Sequence, residues 1–432
     1  MSRHAHVGRF QWRLKELAQR LWVRVTAFAV LGVGTALTGF LLKDTIPDGL
    51  AGQVGADAIE PILDIIASSM LTVTTFSLSI LTAAYATASS GATPRAVQLL
   101  IKDSVSQTVL ATFIGAFVFS LVGLIMLKTQ LYGDGGRVLL FLVTLLVIVI
   151  VVVSLLRWIN RLGELGLIGD IMTRVETSTT QALESRLQAP WMGANPLRGA
   201  PPADSLVVPP PVIGHVQNCD MATLSGLAEK HGLIIYVTAT PGDLVHLRSA
   251  LFHVRNLPTD PDKADAIRAD LIDCVNVRPT RRFEQDPRFG FSVLSEMAQR
   301  ALSPAVNDPG TAVAVITRVL RILSIWQSRR QPEVEYPRLY AAEMNPDDLL
   351  RDCLLPLARD GASVFEVQLA LQNCLLALTH LAPDVYGPAA ERLSADFLVH
   401  ARKGLVLKDH LKAIEHRADD LRALTASVVP LL

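Results

Sequence analysis

The chain has 432 residues, half of them hydrophobic and 19% charged, with 40 basic side chains against 40 acidic ones. A mean hydropathy of +0.36 is high for a soluble protein and indicates a membrane protein with a sizeable polar part. The zero net charge gives no support to nucleic-acid binding, which needs a basic stripe, and the length allows two or three domains.

Residues 9–24, RFQWRLKELAQRLWVR, are amphipathic. Phe10, Leu14, Leu17 and Leu21 share a helical face, and Trp12 and Trp22 suit an interface. The segment 1–24 reads either as a helix lying on the inner membrane surface or as a cytoplasmic extension of the first span. Four segments then meet the length of roughly 20 apolar residues needed to cross a bilayer. They are Val25–Leu42, Ile62–Thr87, Val105–Leu127 and Val138–Leu156. The first has no clear cleavage site after it and reads as a signal-anchor. The last is almost purely aliphatic and is expected to be the most lipid-exposed.

Lys and Arg set the expected orientation. Arg3, Arg9, Arg13, Lys15, Arg20 and Arg24 hold the N-terminal stretch inside. The first loop, with Asp44, Asp48, Asp57 and Glu60 against Lys43, suits the outside. Arg95 and Lys102 mark the second loop as inside, and Arg157 and Arg161 return the chain to the cytoplasm. Both termini are therefore expected in the cytoplasm.

The second span carries the main functional signal. Nine of the twenty residues in SSMLTVTTFSLSILTAAYAT are Ser or Thr. Asp64, Ser68, Thr72, Thr75, Ser79 and Thr82 follow one another at spacings of 4, 4, 3, 4 and 3, which is the helical repeat. Ser69, Thr74 and Ser77 are expected to broaden this polar surface. Two readings stand. Small hydroxyl residues permit close helix packing and cross-helix hydrogen bonds. Alternatively, the stripe lines an aqueous path on the axis of an oligomer, with Asp57 and Glu60 at its outer mouth and Arg95 and Lys102 at its inner mouth.

Residues 157–188 continue as a membrane-exit helix. The segment 189–211 follows; PWMGANPLRGAPPADSLVVPPP has seven prolines in twenty-two residues and reads as a stiff linker outside any core. Between 212 and 258 the pattern is strand, short helix ended by Gly232, then two strands around the turn Thr240–Asp243. That is a small β-rich module. It loosely resembles the barrel-sandwich of biotinyl and lipoyl carriers, but Pro241, Gly242 and Asp243 stand where those carriers need a lysine, so the resemblance implies fold alone.

From 259 to 432 the chain reads mainly helical. Asp-Pro recurs at 260–261, 286–287 and 308–309, placing an N-cap and a first-turn proline at three helix starts. Between the first two, CVNVRPTRRF is strand-like. Further helices are expected at 346–359, 363–382, 388–403 and 408–427. The fold class is thus a four-span helical membrane domain plus a cytoplasmic α+β domain, mainly helical.

Asp286, Arg288, Ser303, Asn307 and Asp308 cluster in two polar motifs, yet no His stands near as a base and no nucleophile elbow exists. Capping explains them without catalysis. The four cysteines form no CxxC and the histidines no metal-ligand pair, so reduced core thiols, no metal and no cofactor are expected.

ATPRAVQLLIKDSVSQTVLATFIGAFVFSLVGL and RRFEQDPRFGFSVLSEMAQRALSPAVNDPGTAV resemble a bacterial family of predicted membrane proteins, DUF2254. The resemblance runs from about residue 12 into the C-terminal helices. It is strongest at Gln285–Gly290 and Ala301–Ala312 and extends to the GHVQ and TPGDLV stretches. Gly310 departs from it, since a bulkier residue is expected there. The resemblance implies a topology and no reaction.

The reading is an inner-membrane homo-oligomer in contact with lipid, lined by the second span and conducting inorganic ions, without enzymatic activity or nucleic-acid binding. The alternative is a membrane-anchored scaffold or sensor without transport.

Overall fold

A computed structural model describes residues 56–101, 103–129, 134–328 and 332–428, together with Val23, Thr26, Val30, Gly34 and Thr38, which are helical. The expected first span and the amphipathic segment otherwise lie outside the described residues. Among the described residues the protein is mostly helical with small sheets, and three helices are long and apolar enough to cross a membrane. It divides into two compact units, residues 1–171 and 172–432.

In the first unit, α1 (Ala56–Gly91) is followed by the short α2 (Pro94–Ile101), then α3 (Ser104–Lys128) and α4 (Asp134–Leu162). The apolar stretches run Ile59–Gly91, Ser104–Lys128 and Gly136–Leu162. At 1.5 Å per residue, α1 is about 54 Å long and exceeds the roughly 30 Å hydrocarbon core. α3 is the central helix, with α1 and α4 packed on it. The core joins Ile59, Leu63, Met70 and Leu81 of α1, Phe113, Ala116 and Phe119 of α3, and Leu140, Val147 and Trp158 of α4. The aliphatic α4 stretch is the least buried of the three.

The boundary between the units falls in the first turn of α5 (Ile168–Gln188). The second unit then begins with a correction. The proline-rich segment is part of a core: it supplies β1 (Ala194–Pro196) and β2 (Leu206–Val208), with Ala194 and Val208 buried. β3 (Gly214–Cys219), α6 (Met221–His231), β4 (Ile234–Val237), β5 (Leu244–Val245), β6 (Phe252–Arg255), α7 (Pro261–Asp273) and β7 (Val275–Arg278) follow. Later come α8 (Pro287–Ala301), α9 (Pro309–Leu323), β8 (Tyr336–Ala341), α10 (Pro346–Asp360), α11 (Phe365–Leu381), α12 (Pro383–Gly404) and α13 (Lys408–Val428).

One sheet has the order β1-β8-β4-β6-β2, the other β5-β3-β7. β1 and β2 are the two edges of the larger sheet, where proline costs no interior ladder bond. β8 runs parallel to both β1 and β4, pairing Ile235 with Leu339 and Val237 with Ala341. The β-rich module is therefore not a self-contained barrel over 212–258. Its sheet is completed by a strand from about eighty residues further along. Ile235, Val237, Phe252, Val254 and Leu339 form the buried face.

The remaining helices pack as a bundle. Each Asp-Pro expectation matches a helix start. Asp260, Asp286 and Asp308 are N-caps whose carboxylates accept from first-turn amides, and Pro261, Pro287 and Pro309 open the helices. α12 starts at Pro383 rather than 388, and Pro388 lies inside the helix, past the first turn.

Candidate functional site

The hydroxyl stripe of α1 lies on one face. Asp64, Ser68, Thr72, Thr75, Ser79 and Thr82 are all exposed, opposite the side that buries Ile59, Leu63, Met70 and Leu81. Leu71 and Leu78 flank the stripe on one edge and Ile65 and Phe76 on the other, and all four are exposed. Ser77 corrects the expectation of a wider polar surface. It points into the bundle, 1% exposed, with no hydrogen-bond partner. Thirteen residues of helix separate it from Asp64, which turns it to the opposite side.

Each stripe hydroxyl donates to its own helix. Ser68 Oγ reaches the Asp64 carbonyl at 2.9 Å and Thr72 Oγ1 the Ser68 carbonyl at 2.9 Å. Thr75 Oγ1 donates to the Thr72 carbonyl at 2.9 Å, Ser79 Oγ to the Thr75 carbonyl at 3.0 Å and Thr82 Oγ1 to the Leu78 carbonyl at 2.9 Å. With the single proton so used, each oxygen presents only lone pairs outward. The face is a column of acceptors headed by the Asp64 carboxylate, which has no ion-pair partner among the described residues.

Of the expected mouth residues, Asp57 lies in the first turn of α1. Glu60 is paired at the surface with Lys128, at 3.1 Å, so the start of α1 and the end of α3 share a level. Arg95 is exposed on α2, and Lys102 lies outside the described residues.

Sequence reading missed a buried charge network at the other end of the same unit. Arg161, in the last turn of α4, is 8% exposed. Its Nε is 3.3 Å from Asp103 Oδ2, its Nη1 2.6 Å from Glu164 Oε2 and its Nη2 3.1 Å from Asp170 Oδ2. Asp103 also caps α3 by accepting from the Ser106 amide at 3.0 Å and the Ser106 hydroxyl at 2.5 Å. A planar guanidinium presents donors in several directions at once, which an ammonium on a flexible stem does not hold in place. Burial pushes the Asp170 carboxyl above its ordinary value, against the pull of Arg161. Of these residues only Arg161 was legible, as a positive-inside marker, because nothing in the spacing links 103 to 161 and 170.

In the second unit, two of the sequence motifs meet. Asp286, at the start of QDPRFG, is 2% exposed. It takes Arg281 bidentately at 2.8 and 2.9 Å and accepts from the Phe289 amide at 3.0 Å. Gly242 of TPGD lies against this carboxylate with φ +103°, and a Cβ there would sit 2.7 Å from the Asp286 Cγ. The Arg281 guanidinium also stands 5.3 Å from the Phe289 ring centroid. Gly290 serves close packing: a Cβ would fall 2.7 Å from the Thr179 Cβ, so α8 and α5 touch through this glycine. Arg288 pairs with Asp352 at 2.6 Å on the surface.

The other motif is an exposed, ordered turn between α8 and α9. Ser303 Oγ donates to the Arg300 carbonyl at 2.7 Å, and Asn307 adopts φ +50°. Asp308 accepts from the Thr311 amide at 3.0 Å and hydroxyl at 2.6 Å, which holds its carboxyl below the usual range. The motifs sit at opposite ends of α8, whose fifteen residues span about 22 Å. The structure does not bring Asp286 and Arg288 together with Ser303, Asn307 and Asp308. Both aspartates are caps, as local reading anticipates, and the acceptor column of α1 is left as the candidate functional surface.

Comparison with known proteins places this arrangement. An uncharacterized protein of Mycobacterium bovis and one of Mycobacterium tuberculosis are each 24% identical over 340 residues, covering 74% of this chain and 63% of the relative. The chain thus spans less than two thirds of the length of these curated relatives. No solved structure matches. The family described as "Predicted membrane protein (DUF2254)" matches residues 18–377, taking in the three candidate spans among the described residues, the Arg161 network and both loop motifs, and the chain belongs to that family.

Proposed function

We propose that the protein is a non-enzymatic, oligomeric pore of the inner membrane, with both termini in the cytoplasm, in which α1 of each copy faces a shared axis and inorganic cations pass. The observation that carries this reading is the alignment of Asp64 with five hydroxyls on the exposed face of a membrane-length helix. A carboxylate turned toward acyl chains is costly, so that face is expected to meet water or protein. Copies of the chain around an axis supply both. Because the hydroxyl protons are spent on helix carbonyls, the lining offers lone pairs and a carboxylate, which suits cations over anions. Unit 172–432 then serves assembly or regulation.

The rival reading, a membrane-anchored scaffold or sensor, is supported by the same back-bonding, since hydroxyls already satisfied within the helix need no water beside them. Planar-bilayer recordings separate the two. The pore reading expects cation-selective conductance, reduced by Asp64→Asn and suppressed by Thr75→Leu. Absence of conductance, or conductance indifferent to both changes, leaves the scaffold.

A further inference from the structure

The turn joining α12 and α13 carries an unusual surface. Leu405 packs back onto Leu398, Ala401 and Ile414. The next two residues turn the other way: Val406 is 92% exposed and Leu407 59%. Few ordered surfaces hold an aliphatic side chain so fully in water, and here two stand side by side at the end of a helical hairpin. The turn itself is anchored, because Phe365 stacks on His410 at 4.1 Å at the start of α13.

Most charges around this tip are paired; those without an ion pair among the described residues are Lys403, Lys408 and, on the neighbouring helix, Glu366. Arg402 is taken by Glu415 at 2.8 Å and Asp409 by Lys412 at 3.5 Å. On the neighbouring turn Arg359 closes on Asp360 at 2.7 Å, with Glu366 one turn further along. Lys403 and Lys408, exposed on either side of Leu405–Leu407, have no carboxylate partner among the described residues.

We propose that Val406 and Leu407 insert into the interfacial layer of an anionic bilayer, with Lys403 and Lys408 on its phosphates. An apolar tip rimmed by lysines matches a surface whose outer layer is anionic and whose next layer is hydrocarbon. A protein partner of ordinary interface chemistry would not require that pairing of layers. A chain already held in the membrane by its spans needs only weak affinity at the tip, since tethering raises the local concentration of lipid. The proposal is independent of the pore reading and stands whether or not α1 conducts.

The four native cysteines are buried, so Val406→Cys adds a single accessible thiol to the full chain. It is labelled with a polarity-sensitive fluorophore and reconstituted in vesicles of equal phosphatidylcholine and phosphatidylglycerol, or of phosphatidylcholine alone. Asp419→Cys, exposed further down α13, is the control. In the anionic vesicles the label at 406 is expected to shift to the blue and to be quenched by brominated acyl chains, while the label at 419 stays open to aqueous iodide. Replacing Lys403 or Lys408 by Gln should lower the inserted-to-free ratio about fivefold for each lysine. Iodide quenching at 406 equal to that at 419 overturns the proposal. So does a label shielded from iodide but untouched by brominated lipid, which assigns the tip to a protein partner or a second copy. Equal lipid quenching at both positions also overturns it, because no tip is then distinguished.

Discussion

Arg161 shows how one side chain can decide local architecture. Its guanidinium ties the N-cap of α3, the turn after α4 and the first turn of α5 into one buried cluster. Removing the cation strands the carboxylates of Asp103 and Asp170 in a poorly solvated place, a loss of about 3–5 kcal/mol for a buried pair broken from one side. Arg161→Met is therefore expected to lower the melting temperature of the detergent-solubilised protein strongly. Glu164→Gln, at a side chain 64% exposed, should change it little. A melting curve for each variant, followed by circular dichroism, checks both. None of this was legible locally, since a buried cluster assembled from positions 103, 161, 164 and 170 leaves no periodic trace in the chain. The α1 stripe was legible because helical periodicity is a local property. The side on which Ser77 lies is equally local arithmetic, and that arithmetic places it opposite the stripe, where it does not broaden it.

Helix starts carry the same lesson at the scale of elements. An Asp before a Pro declares an N-terminus through chemistry confined to four residues, and α7, α8 and α9 begin where that chemistry says. The caps differ in what else they hold. Asp308 is exposed and serves only the first turn of α9, so Asp308→Ala should cost about 1 kcal/mol. Asp286 also neutralises Arg281 and fills the space against Gly242, so Asp286→Ala is expected to cost about 3 kcal/mol or more. Urea titration of the two variants in detergent gives the ratio, and equal losses would contradict the structural account of QDPRFG. Strands behave in the opposite way. β1, β2 and β8 lie in proline-containing sequence that reads as linker or loop. Proline is tolerated in β1 because it is an edge strand. In β8, Pro337 precedes the ladder with β4, which begins at Leu339, and Asn195 Nδ2 bridges the irregularity by donating to the Pro337 and Leu339 carbonyls at 2.9 and 3.0 Å.

The molecule comprises a unit with three candidate spans among its described residues and a unit with two sheets and a helical bundle among its described residues, and all four cysteines belong to the second. Burial pushes the thiols of Cys219 and Cys374 up to about 12 and raises that of Cys353 as well. The sign follows from the folded value lying above the unfolded one. The stabilisation is complete below the ordinary thiol value near 9.0 and is lost as the pH rises toward about 12, because the unfolded chain ionises first. Unit 172–432 should therefore weaken across that alkaline window, and Cys374→Ala should lessen the loss. Maleimide labelling as a function of pH is the check: the native protein should stay unlabelled at pH values where a free thiol reacts fully. Rapid labelling of the folded protein at mildly alkaline pH would show that the thiols are not sealed in the core.

Apolar run length, 3.6-residue spacing and Asp-Pro capping are properties of short stretches of chain, and they located three candidate spans, the hydroxyl stripe and the starts of α7, α8 and α9 before any coordinates. Sheet membership of β1, β2 and β8, the Arg161 cluster and the meeting of TPGD with QDPRFG depend on groups distant in sequence arriving together. Only the tertiary structure decided those, because their stabilisation comes from burial and pairing that exist nowhere in the extended chain.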